Sequence, residues 1–117
     1  MIQEINRSAV FIAPKQAFHD MVAELSDDEA MDEQPILATD EATIYLLSAD
    51  PDAIDDLEKI MKPYYKEIFR AELDGWFTDE DQFPKNITWK QFESWFHISF
   101  QSMVLDMVKQ NIVREEY

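Results

Sequence analysis

The stretch from Thr88 to Lys109, TWKQFESWFHISFQSMVLDMVK, constrains the fold more than any other. It contains neither glycine nor proline, and it is apolar around most of a helical circumference. Thr88, with Gln91 three residues on, has the spacing of a capping box, in which each side chain satisfies the other's orphan backbone N–H. At about 100° per residue, Trp89, Phe92, Phe96, Phe100, Met103 and Met107 fall on one narrow face. Lys90, Ser94, His97 and Gln101 fall opposite, while Trp95 and Val104 widen the apolar stripe. The pattern predicts one long C-terminal helix, Thr88 to Lys109, buried on more than one side at the centre of the core. Each large aromatic buried there would contribute about 1.5–3 kcal/mol.

A chain of 117 residues is expected to form a single compact domain over 1–117 and to bury roughly two-thirds of its unfolded surface. It has no cysteine, which removes disulfides and thiolate chemistry and fits a reducing, cytoplasmic setting. MIQEINRS lacks a basic region followed by an apolar run, so no signal peptide is expected. No apolar run approaches the ~18 residues of a membrane span.

The charge is unevenly placed. Of a net −15, −14 falls between Gln16 and Glu58, where there are 14 acids and no lysine or arginine. Such a field attracts basic protein surfaces and repels nucleic acid and anionic membranes. The acids expected to carry partner binding are Asp27, Asp28, Glu29, Asp32, Glu33, Asp52, Asp55 and Asp56. The plainer account of the same charge is dispersal, since acidic surfaces hold chains apart in solution.

Taken in order, Ser8 to Ala13 is a β-prone apolar run ended by Pro14. It does not alternate with polar residues, so cover on both faces is expected. Lys15 to Leu25 switches to helical spacing through Phe18, Met21, Val22 and Leu25. Ser26 to Pro35 reads as acidic loop, with Ser26 and Glu29 able to cap a short turn. Thr43 to Ser48 is a second strand, and Asp50-Pro51 can open a helix bearing Ile54, Leu57, Met61, Tyr64 and Ile68 on one face. Pro63 must kink that helix or split it in two. Gly75, the one glycine, stands where it should end, in a left-handed cap. Ile112-Val113 could add a short strand near the end of the chain. The order is β-α-β-α-α, an α+β fold in which helices cover a small sheet of two or three strands. A helix between strands favours a parallel pair with a right-handed crossover. Because two strands alone are marginal, a third strand or completion of the sheet by a second copy is expected.

The pattern Tyr64…Glu67-Ile-Phe…Glu72-Leu-Asp-Gly-Trp-Phe-Thr-Asp-Glu, then Phe83-Pro84, Phe92…Trp95-Phe96 and Ser102-Met-Val…Asp106, resembles a family of small acidic bacterial proteins of unknown function. Ser8-Ala-Val and Pro14-Lys15-Gln16 are similar too. The resemblance covers most of the chain outside residues 26–40. It implies a free-standing bacterial domain, and no activity, cofactor or site.

A single glycine excludes the dinucleotide fingerprint, the phosphate-binding loop and the nucleophile elbow. A calcium loop centred on Gly75 would put Arg70 at its first ligand position. His19 and His97 stand on different predicted helices, without the spacing of a zinc site. On a helix, His97 would pair with Glu93 four residues earlier. No cofactor or metal is expected.

On the helical wheel Asp106 falls beside Ser99, between Ser102 and Trp95, at the edge of the apolar stripe. A carboxylate there must be hydrogen-bonded or paired. Trp95, His97, Ser99 and Asp106 are therefore the candidate small-ligand or enzymatic site, against a purely structural role for Asp106. Lys59, Lys62, Lys66 and Arg70 make a basic stripe. It reads either as a solvated, ion-paired face or as a dock for the acidic half of another copy. Trp76 to Pro84 mixes aromatics and acids, which suits a binding surface and equally a loop that plugs its aromatics back into the core. The leading expectation is a non-enzymatic acidic interaction module that binds a basic protein.

Overall fold

The computed structural model describes residues 1–26, 29–33, 42–49, 56–76, 81 and 83–117. In chain order these form strands β1 (Gln3–Glu4) and β2 (Arg7–Pro14), helix α1 (Gln16–Ser26), strand β3 (Thr43–Ser48), and helices α2 (Leu57–Met61), α3 (Tyr65–Asp74) and α4 (Trp89–Trp95). Strands β4 (Phe96–Gln101) and β5 (Leu105–Asp106) follow α4. The fold is α+β, with small antiparallel sheets and four helices among the described residues.

The long C-terminal helix is not formed. The capping box at Thr88 is present, with Thr88 N–H donating to Gln91 Oε1 at 2.8 Å and Gln91 N–H to Thr88 Oγ1 at 3.2 Å. The helix it opens stops at Trp95, and the chain continues extended as β4. The physical reason lies in the side-chain pattern. Phe96, Ile98 and Phe100 alternate with His97, Ser99 and Gln101, the period of a half-buried strand. Residues four apart share a face in a strand and nearly so in a helix, so Phe92, Phe96 and Phe100 fit both. Sheet pairing decides between them. Met103 and Met107, placed in the core by the helical reading, are 64% and 66% exposed.

The main sheet has the order β3-β2-β4, antiparallel throughout. This corrects the parallel crossover. In the register, Val10 lies between Tyr45 and Phe100, Ile12 between Thr43 and Ile98, and Phe11 between Ile44 and Ser99. The chain gets back to the C-terminal end of β2 because segment 29–33 folds against the start of α1. Gln16 N–H donates to Glu33 Oε1 at 2.6 Å, and Glu33 N–H returns the bond to Gln16 Oε1 at 2.8 Å. A chain that leaves and re-enters at one end of the sheet must pair antiparallel. The third strand is β4, supplied by the chain itself. A small ribbon, β1 with β5, continues beyond it.

One face of the sheet packs on the helices, not both. Val10, Ile12, Leu47 and Phe96 from that face join Phe18, Val22, Met61, Ile68, Phe69, Leu73 and Phe92 in the core. Phe92 and Phe96 lie 4.8 Å apart between ring centroids, and Trp95 stacks on Phe69 at 5.1 Å. The opposite face leaves Ile44 and Leu46 exposed beside Phe11.

Pro63 divides α2 from α3 as its missing N–H requires. The cap of α2 is Asp56, whose side chain accepts from Lys59 N–H; the expected cap Asp50-Pro51 lies outside the described residues. Gly75 ends α3 in a right-handed conformation, φ −71°, and not in the left-handed one expected. The Ser26 hydroxyl donates to the Val22 carbonyl at 2.9 Å and closes α1; the turn expected from Ser26 to Glu29 includes residues 27 and 28, outside the described ones. Two aromatics after α3, Trp76 and Phe83, turn inward; Phe77 lies outside the described residues. Phe83 is buried, and Trp76 meets Phe18 and His19 edge-on at 6.2 and 5.3 Å.

Candidate functional site

The acidic span begins on α1. Gln16 ties two of its acids together. Beyond its two bonds to Glu33, its side-chain amide donates to Asp20 Oδ1 at 3.1 Å and to the Met31 carbonyl at 2.9 Å. Asp20 and Glu33 are thereby held at the start of α1; both are exposed, as is Asp32. Glu33 also meets His97, with Oε2 3.3 Å from Nε2. That hydrogen bond first, and the Gln16 N–H second, hold the Glu33 carboxyl below its usual range. Glu24, Glu29, Asp56 and Glu58 are exposed as well. Asp27, Asp28, Asp52 and Asp55 lie outside the described residues.

The four residues grouped by the helical wheel are not brought together. Trp95 ends α4 and packs on Phe69. His97 pairs across from Ala13 on β4 and bonds Glu33, so the helical pair with Glu93 is not formed. Ser99 lies opposite Phe11 and is exposed. Asp106, on β5 opposite Gln3, accepts from Val108 N–H at 2.9 Å. A wheel cannot group residues that a strand spaces about 3.3 Å apart along its axis. None of the four lines the hollows beside α3.

Hollows form beside α3. One, of about 530 Å³, lies between α3 and the outer edge of β3, against Tyr45, Leu47, Tyr64, Glu67 and Ile68. Another, of about 500 Å³, lies between α3 and residues 83–87, with Lys66, Arg70 and Lys85 on its lining. Near the first, Tyr45 donates from its hydroxyl to Glu72 Oε2 at 2.7 Å. Burial pushes the Glu72 carboxyl upward, against the pull of that bond. Burial, then Glu72, pushes the Tyr45 phenol up, so it stays a donor. No spacing signal marks this pair, whose members stand 27 residues apart.

Among the described residues, no group of three or more His, Asp or Glu side chains could hold a metal, and no helix is long and apolar enough to cross a membrane. No family model, curated protein or solved structure matches the chain.

Proposed function

We propose that this chain is a non-enzymatic interaction module whose acidic span, Asp20 to Glu58, docks a basic protein surface. One observation carries the reading: 14 acids occur in that span with no lysine or arginine among them. Two features support it. The described acids of the span are exposed. Two of them, Asp20 and Glu33, are held by Gln16, which limits the side-chain entropy lost when a partner binds. Complementary charge chiefly speeds encounter and rejects wrong partners. The same field disfavours nucleic acid and anionic membranes.

The test compares the wild-type chain with a variant carrying Asp20→Asn, Glu24→Gln, Glu29→Gln, Asp32→Asn and Glu33→Gln. Both are used to capture protein from bacterial lysate at low salt, with release by a salt step. One basic protein bound by the wild type, and bound at least about tenfold more weakly by the variant, is expected. Five exposed pairs at about 0.2–1 kcal/mol each make that loss reachable. Equal capture by the variant, or only those proteins that an unrelated chain of equal net charge also retains, would overturn the reading.

A further inference from the structure

Among the described residues, β3 is an edge strand of unusual composition. Its sequence, Thr-Ile-Tyr-Leu-Leu-Ser, holds no charge and no proline. Edge strands are normally blunted by such residues, or covered, because their free N–H and C=O groups invite another strand. The Ser48 N–H of this strand donates to the Tyr64 hydroxyl at 3.3 Å, and a groove runs between the rest of the edge and α3.

The chain's own C-terminal residues are already there. Tyr117 lines the groove with β3 and α3. Glu115 and Glu116 lie over the next stretch of α3, in a hollow they share with Lys66 and Arg70 and with the α3 acids Glu67 and Asp74. Upstream, Ile112 and Val113 are β-branched and remain 61% and 82% exposed. β-branched side chains suit a strand. The tail touches the groove at its end and has not lain down along the edge.

We propose that residues Ile112–Tyr117 are a strap for this groove. It closes in the same chain, with Ile112-Val113 along the outer edge of β3 and Glu115-Glu116 against Lys66 and Arg70. Tethering favours closure within one molecule, since a short linker gives the tail an effective concentration in the millimolar range. The strap covers the edge of β3 and blocks strand addition from outside.

Amide hydrogen exchange in the full-length chain tests this. Three proteins are compared: wild type, Tyr117→Ala and Lys66→Glu. The strap predicts that amides of Thr43–Ser48 exchange several-fold to about tenfold faster in both variants, and faster in the wild type at 1 M salt than at low salt. The amides of Val10 and Ile12 in the central strand should not change, which separates strap release from unfolding. Unaltered β3 exchange in both variants would overturn the proposal. So would protection of β3 that rises with protein concentration, because the occupant would then be a second copy.

Discussion

Phe92→Ala and Met107→Ala separate the observed fold from the helix that the sequence suggests. In a continuous helix both residues lie on one buried stripe. In the structure Phe92 is 0% exposed, with ring centroids of Phe96, Trp89 and Tyr65 at 4.8, 5.7 and 5.8 Å. Removing its ring loses the transfer free energy of a buried aromatic and leaves a cavity that those neighbours only partly fill. The expected cost is about 3–5 kcal/mol. For a domain of this size that lowers Tm by about 10–20 °C. Against a total stability of about 5–15 kcal/mol it is a large fraction. Met107 is 66% exposed and past the last strand, so its truncation should cost no more than about 0.5 kcal/mol. Urea unfolding followed by circular dichroism and tryptophan fluorescence gives both values. A cost of about 2 kcal/mol or more for Met107→Ala would put that residue back in a core and refute the reasoning.

Thr88→Ala removes one half of the capping box and should cost about 1 kcal/mol, read by the same unfolding curves. Gly75→Ala should be neutral or stabilising by up to about 1 kcal/mol. Its φ of −71° suits alanine, and an added Cβ meets its nearest atom, the Glu72 carbonyl oxygen, at 3.5 Å. Glu72→Gln should stabilise the protein near neutral pH. A carboxyl with a raised folded pKa contributes stability that is full below its unfolded value and lost as pH rises through the folded one. The amide keeps an acceptor for Tyr45 and carries no charge to desolvate. Unfolding from pH 4 to 8 should therefore show a gain over wild type that grows with pH and vanishes at the acid end. Glu33 has the opposite sign: its lowered pKa contributes stability that disappears as pH falls through the folded value. Glu33→Gln should flatten the acid limb of the stability curve.

The local signals in this sequence were legible and the distant ones were not. Ser8 to Ala13 and Thr43 to Ser48 are strands, α1 follows Pro14, Pro63 breaks a helix, and Thr88 caps one with Gln91. Each depends on neighbours a few residues away. The error at Phe96 came from a spacing of four that both periods satisfy. Ile98 is the clue: a helical wheel sets it between Ser94 and Gln101 on the polar side, while a strand turns it inward beside Ile12. Strand direction was hidden because the clamp that returns the chain joins Gln16 to Glu33, 17 residues on. The candidate ligand group fell with the helix that defined it. The acidic span survives because charge along the chain does not depend on the period of the backbone.

The central claim is that the chain becomes sheet at Phe96. That step separates Trp95, His97, Ser99 and Asp106 and leaves the acidic span as the proposed functional surface. NMR assignment of residues 88–109 measures it most directly. Helical Cα shifts ending at Trp95, extended shifts over Phe96–Gln101, and cross-strand contacts from Phe100 to Val10 and from Ser99 to Phe11 are predicted. Unbroken helical shifts to Lys109, with no contacts to β2, would contradict the account.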